Sequence, residues 1–153
     1  MGGPAPGAAH DRLAALEGDW MGEERLAPSP WDREGGSARG RYRFGTAIDG
    51  FYLLLDYQQD RGAGVNFRGH AVIGWDAATE RYAMWWFDSA SPVPVAPATG
   101  TWADRTLTLE LAGAHGSSRY AFTVEDERLH VRVDNAADGA TWTNFLEGTY
   151  SRA

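Results

Sequence analysis

The sequence contains no cysteine. That excludes disulfides, thiolate metal sites and a cysteine nucleophile, and it is compatible with a reducing compartment. Lysine is missing too, so all 14 basic residues are arginines and Schiff-base chemistry is excluded. Positive charge is in deficit. The 14 arginines face 21 acidic residues for a net charge of -7, the wrong sign for a general grip on phosphates, so no nucleic-acid partner is expected. No apolar run approaches the length of a membrane span, and Met1 to Ala9 lacks the basic start and apolar stretch of a signal peptide. A cytoplasmic protein with no membrane partner is expected. Several chemical signatures are also lacking. No Gly-x-Ser-x-Gly occurs, no Gly-rich turn leads from a strand into a long helix, and no two histidines lie close in sequence. A hydrolase nucleophile, a phosphate cradle and a metal site are therefore not expected.

What is abundant is glycine, at 19, and tryptophan, at 7, spread over 153 residues, which is one domain of ordinary size. Met1 to Ala9, made mostly of Gly, Pro and Ala, reads as a flexible tail ahead of a single domain over 10–153. The centre of the chain, Val65 to Asp88, is its most apolar and aromatic part and reads as a hairpin turning at Asp76 to Glu80. Side chains alternate along a strand, so Val65, Phe67, Gly69, Ala71, Ile73 and Trp75 share one face. Trp85 and Trp86 must then point to opposite faces, and the outward one marks an interface. A homodimer through the 65–88 hairpin is the expectation, with an N-terminal helix or the proline-rich loop as the competing cover.

The same two-residue rhythm runs through most of the chain. His10 to Glu17 reads as a short helix ended by Gly18, placed to plug one end of a barrel. Asp19 to Leu26 follows as a strand in which Trp20 and Glu24 share a phase. Ala27 to Gly35 is too rich in proline for a central strand, and its Trp31 is placed to lie over a mouth. Gly36 to Phe44 alternates Ala38, Gly40, Tyr42 and Phe44 against three arginines, which belong outside. Asp49-Gly50 signals a tight turn. Phe51 to Gln59 is another strand, whose inward phase the pattern leaves open. Further strands follow at Leu107 to Leu111, Tyr120 to Val124, Leu129 to Val133 and Thr141 to Tyr150. The fold class is all-β: an antiparallel up-and-down meander of about ten short strands, closed into a barrel so that no edge is exposed. A barrel of this size has room for side chains and one small ligand.

With the strands in place, Gly18-Asp-Trp-Met-Gly-Glu-Glu24 resembles the Gly-x-Trp-x-Gly opening of the calycin superfamily, to which lipocalins, fatty-acid-binding proteins and nitrobindins belong. The ordered set of that segment, Gly50-Phe-Tyr to Asp56-Tyr57, Phe67 to Asp76, Met84-Trp-Trp-Phe-Asp-Ser89 and Leu146-Glu-Gly-Thr-Tyr150 resembles a bacterial lipocalin-like family of unknown function. The resemblance spans nearly everything from Leu16 to Arg152 and implies the barrel without implying an activity. Nitrobindins bind haem through a His near the C-terminus. The last strand here, Trp142 to Tyr150, has no His, so haem would need His70 or His130 instead, and no cofactor is expected.

Four histidines, His10, His70, His115 and His130, are all the imidazole in the chain. His130 shares its phase with Arg132 and Asp134 and reads as solvated, while His70 has polar phase partners but aromatic neighbours, so its face stays open. A buried His beside a carboxylate would be a general base. Glu24, Asp56, Asp88 and Glu147 sit on strands among large apolar residues, and an inward carboxylate must be paired or hydrogen-bonded. Three functions are consistent with this pattern. The first is binding of a small apolar or amphipathic molecule in the barrel, with Trp20, Glu24, Tyr42, His70, Trp86, Asp88 and Trp142 as the ligand-binding residues. The others are a small-molecule enzyme built on a His and carboxylate pair, and a barrel filled by its own side chains.

Overall fold

The computed structural model describes residues 4–29, 32–113 and 116–153. The expectations placed on Trp31 and His115 lie outside these residues, as does the start of the N-terminal tail. A short helix α1 (Ala8–Leu13) runs into a single 3-10 turn, Ala14–Leu16, and ten strands follow. They are β1 (Gly18–Leu26), β2 (Gly36–Ala47), β3 (Tyr52–Asp60), β4 (Val65–Asp76), β5 (Arg81–Asp88), β6 (Ala98–Ala103), β7 (Thr106–Gly113), β8 (Gly116–Glu125), β9 (Arg128–Ala136) and β10 (Thr143–Arg152). Each strand pairs antiparallel with its sequence neighbour, and β1 pairs with β10 from Trp20 opposite Arg152 to Leu26 opposite Leu146, which closes the barrel. The all-β meander read from the alternation is the fold.

Period-two patterning decides which side of each strand is buried. In β2 the buried residues are Ala38, Gly40, Tyr42 and Phe44, with Arg39, Arg41 and Arg43 on the outside. On β3, whose phase the pattern left open, Leu53, Leu55, Tyr57 and Gln59 turn inward, leaving Tyr52 and Asp56 exposed. Burying each leucine contributes about 1.5–3 kcal/mol, so the phase carrying two of them wins over one carrying Asp56. The two-residue connection Asp126-Glu127 has positive φ at both positions and matches the right-handed twist of the strands it joins. Between β2 and β3 the connection is four residues long, Ile48 to Phe51, with positive φ at Ile48, Asp49 and Gly50, so the expected Asp49-Gly50 pair lies within it.

The helix closes one end. It begins two residues before His10, and its Leu13, with Leu16 of the following turn, is fully buried against Trp20 and Tyr82. Ala9 packs on the same cluster, and its carbonyl accepts a hydrogen bond from the Tyr82 hydroxyl at 2.6 Å. The Trp20 indole N–H donates to the Leu16 carbonyl at 3.0 Å, and the Arg152 guanidinium lies over its ring. Among the described residues no helix is long and apolar enough to cross a membrane.

At the other end lie the β3–β4, β5–β6 and β9–β10 connections and the described part of the β1–β2 connection. Two of them are tied together: Arg61 donates to the Asp32 carboxylate and, at 2.6 Å, to the Gly35 carbonyl. This end is the mouth. The β5–β6 ladder covers only three residue pairs, Tyr82–Met84 against Ala98–Gly100. Beyond it the chain runs through the loop that carries Val93 and Val95, both largely exposed.

On the outer wall of β3 to β5, Val72 stands opposite Leu54 on one side and Trp85 on the other, with Phe87 next along β5. Trp85 is 38% and Phe87 41% exposed. Because α1 docks on the closed end, it does not cover this face.

Candidate functional site at the barrel mouth

Inside the barrel, between the closed end and the mouth, sits a deeply buried carboxyl group. Glu24 on β1 is 2% exposed, in phase with Trp20 and Leu26. Its neighbours across both sides of the strand leave room for it. Gly40 on β2 has no side chain to compete with the carboxyl, and on β10 Gly148 lets the Tyr150 ring fold back so that its hydroxyl reaches Glu24. Tyr57 donates to Oε1 at 2.6 Å, Tyr150 to Oε2 at 2.5 Å, and the Gln59 amide to Oε1 at 3.4 Å. Gln59 also donates to the Tyr57 hydroxyl at 3.0 Å and is anchored by the Asn66 amide at 3.0 Å. These donors are all neutral. Burial pushes the Glu24 carboxyl above its usual range, and the three hydrogen bonds offset part of that rise. Tyr57, Tyr150 and Tyr42 are all raised, chiefly by burial, with the Glu24 charge adding to it, so they remain hydroxyl donors throughout the physiological range.

An aromatic wall continues from this cluster toward the mouth. The Tyr57 ring lies 4.6 Å from Tyr42, 6.0 Å from Phe67 and 6.4 Å from Trp86, and Trp86 lies 6.0 Å from Tyr120. Phe67, Trp86 and Tyr120 are only partly buried. Trp86 packs against Gly69, where an added Cβ would come within 2.5 Å of the indole. Its N–H donates to Asp88 at 2.7 Å, and Asp88 in turn accepts from the Ala90 and Ser91 amides, which folds the start of the β5–β6 loop back on the mouth. Tyr120 is pushed up to about 12 by burial and by the Asp88 charge.

The residues expected from the sequence thus divide. Glu24, Tyr42, Trp86 and Asp88 come together on the mouth-side wall. Trp20 is inward but at the closed end, where it is bound to Leu16 and covered by Arg152. Trp142 precedes β10 and lies under the Arg119 guanidinium, 3.9 Å from the ring centroid; Arg119 belongs to the outward row of β8 with an ion pair to Glu110. His70 is a correction: it faces outward, half-exposed, opposite Asp56 at 2.8 Å. The reason is phase, since its neighbours Ala71 and Ile73 hold the inward row of β4. His130 is outward as well, bonded to Thr149 and Glu147, and His10 packs edge-on against Phe51 at the closed end. None of these three can reach the interior as a haem ligand.

Tyr57, Gln59, Phe67, Tyr120 and Tyr150 were not among the residues expected to form the site. Phe67 and Tyr120 carried the signal, being in phase with inward apolar residues. Tyr57 and Gln59 did not, because the strand that holds them has large apolar residues in both phases.

Two surface depressions lie away from the aromatic wall. One, of about 460 Å³, is over β1, β9 and β10 and is lined by Glu23, Glu24, Arg25, His130, Glu147 and Gly148. The other, of about 370 Å³, is between α1 and the closed rim, against Trp75, Tyr82 and Trp102. Among the described residues, no group of acids and histidines is arranged to hold a metal.

A closed ten-stranded antiparallel barrel with a helix at one end and a carboxylate in an aromatic interior defines the class of this protein. Residues 5–152 match the family described as "Protein of unknown function (DUF1579)", and the chain belongs to that family. Among solved structures it is similar to the crystal structure of Rv2717c from M. tuberculosis, with a TM-score of 0.72 at 13% identity over 96% of this chain and 98% of that one. That likeness shows the fold. No functionally curated protein matches the chain.

Proposed function

We propose that this barrel binds a small, mostly apolar molecule in its mouth-side half, with Glu24 and its hydroxyl partners orienting the polar end. A lipocalin-like, calycin reading of the barrel agrees with the closed meander and the short N-terminal helix. The observation that carries the proposal is the gradient of burial along one continuous aromatic wall: Tyr42 and Tyr57 are buried, while Phe67, Trp86 and Tyr120 farther up remain partly open. Rings half-covered at the end of a barrel are apolar surface waiting for a partner, and a buried polar cluster beyond them supplies direction. The enzyme alternative needs a His and carboxylate pair inside the barrel. The His70 and Asp56 pair sits on the outer wall instead, so binding is the stronger reading.

The test is a titration of the chain with lipids, haem and aromatic metabolites, followed by tryptophan emission in wild type and in Trp86→Phe. Saturable quenching in the wild type that Trp86→Phe abolishes supports the reading. A panel in which no compound gives a saturable response overturns it.

A further inference from the structure

The interior has a charge pattern that a neutral ligand does not require. Two carboxyl groups, Glu24 and Asp88, lie on its inward rows, and among the described residues neither takes part in an ion pair. Among the described residues no cationic side chain joins them. Arg25, Arg41, Arg119 and Arg132 are held in ion pairs on the outer wall. Arg12 lies over Trp102 at the closed end, and Arg61 at the mouth is bound to Asp32 and Gly35. The other arginines are exposed or on outward rows. Glu24 is thus a buried carboxyl whose three donors, Tyr57, Tyr150 and Gln59, carry no charge.

The wall between the two acids is aromatic. Phe67, Tyr57, Trp86 and Tyr120 follow one another at centroid separations of 6.0 to 6.4 Å. The face of an aromatic ring is its electronegative side, which attracts a cation within about 6 Å, most strongly for Trp and more so when water is excluded. A carboxylate ligand would instead bring another negative charge into a poorly solvated compartment with no cation to meet it, a costly arrangement. The net charge of -7 adds a long-range pull in the same direction.

We propose that the ligand of the mouth-side site is an organic cation: an ammonium group on an apolar body, seated against Tyr57, Phe67, Trp86 and Tyr120 and countered by Asp88 and Glu24. This rests on the binding reading above and names its ligand class. The groups facing Glu24 are Tyr42 and Tyr57 with Gln59 on one side and Tyr150 on the other, none ionised near neutrality, so a bound cation is the partner that would hold Glu24 in its charged form. Affinity accordingly rises with pH as Glu24 ionises.

The experiment uses the full chain and three probes of similar size: benzyltrimethylammonium, its neutral isostere neopentylbenzene, and phenylacetate. A quaternary ammonium does not titrate, so any pH dependence belongs to the protein. Binding is read by tryptophan emission and calorimetry in the wild type, Asp88→Asn and Glu24→Gln, with circular dichroism confirming that each variant is folded. The ammonium binds at least about tenfold tighter than the neutral isostere, and phenylacetate binds weakest. Asp88→Asn reduces the cation preference at every pH, and Glu24→Gln removes its pH dependence. If neopentylbenzene or phenylacetate binds as tightly as the cation, the cation inference falls while the binding reading survives. Retention of the full preference in both variants overturns the assignment to these carboxylates, and no saturation by any probe or by the wider panel removes both proposals.

Discussion

Gly40 lies directly against the Glu24 carboxylate: a Cβ at residue 40 would come within 2.2 Å of Oε2 and 2.3 Å of Cδ. The polar cluster inside the barrel therefore depends on a missing side chain one strand away. Gly40→Ala is expected to destabilise the protein by about 1–3 kcal/mol, the range for forcing an extra carbon into a packed interior. The cause is separable from backbone effects by a double-mutant cycle. In a Glu24→Ala background the added methyl meets open space, so the penalty of Gly40→Ala shrinks in urea denaturation; an unchanged penalty would mean that the clash is not with Glu24.

Glu24 also makes stability depend on pH with a definite sign. In the unfolded chain its carboxyl titrates near 4.5, and in the folded chain burial raises it. The folded state then holds the proton more tightly, so the stability linked to this group is full below the unfolded value and is lost as pH rises through the folded one. Glu24→Gln has no proton to lose. The melting temperature of wild type relative to this variant should fall as pH rises above the unfolded value of 4.5, and a difference that stays flat would contradict the buried carboxyl.

Asp19 works in the opposite sense on the outer wall. It accepts from Arg41 Nε at 2.9 Å and Nη2 at 2.5 Å, with Arg43 near by. The Arg41 hydrogen bonds hold its carboxyl below the ordinary 3.8. This contribution is present above that ordinary value and disappears as pH falls through the lowered one. Both side chains are about one-third exposed, so Asp19→Asn should cost no more than about 1 kcal/mol at neutral pH. Chemical denaturation in low and high salt checks it: the loss should be smaller in high salt.

Tyr82 is the bolt that holds the N-terminal helix on the barrel, through its hydroxyl to the Ala9 carbonyl. Tyr82→Phe removes one hydrogen bond and keeps the ring, so a loss of about 0.5–1.5 kcal/mol is expected. Limited proteolysis should cut the variant within α1 faster than wild type while leaving the strands intact. Equal rates would show that the hydroxyl does not anchor the helix.

The bare face of β3 to β5 bears on self-association. A homodimer expected from the sequence would bury Trp85 and Phe87, and their exposure together with Val72 and Leu54 is the surface it would use. Sedimentation equilibrium should then give a dimer for wild type and a monomer for Trp85→Ser/Phe87→Ser. A wild type that is monomeric at micromolar concentration removes this expectation.

Much of the barrel was legible because alternation is a direct imprint of a two-sided wall. Ala38, Gly40, Tyr42 and Phe44 could be assigned inward on sight, since arginines fill the gaps between them. Glu24 was legible through its phase with Trp20. The strand from Tyr52 was not, because Leu53 and Leu55 compete with Tyr52 and Leu54, and a side-chain list cannot tell which set meets the core. That ambiguity hid Tyr57 and Gln59, two of the three donors to Glu24. His70 was misleading for a related reason: neighbours rich in aromatics suggest burial, yet Trp85 and Phe87 are the aromatics beside it, and they are outside. Trp142 lies before its strand begins, where alternation says nothing about direction.

The three-pair join between β5 and β6 gives the wall a place to part. Hydrogen-bonded rungs hold the remaining strands over longer stretches, so local opening should start where Trp85 to Asp88 run on past the end of the ladder, at a free energy well below that of global unfolding. Trp86 rides on that segment. A guest entering from the side would thus meet the indole first, and amide exchange there would slow once the guest was seated.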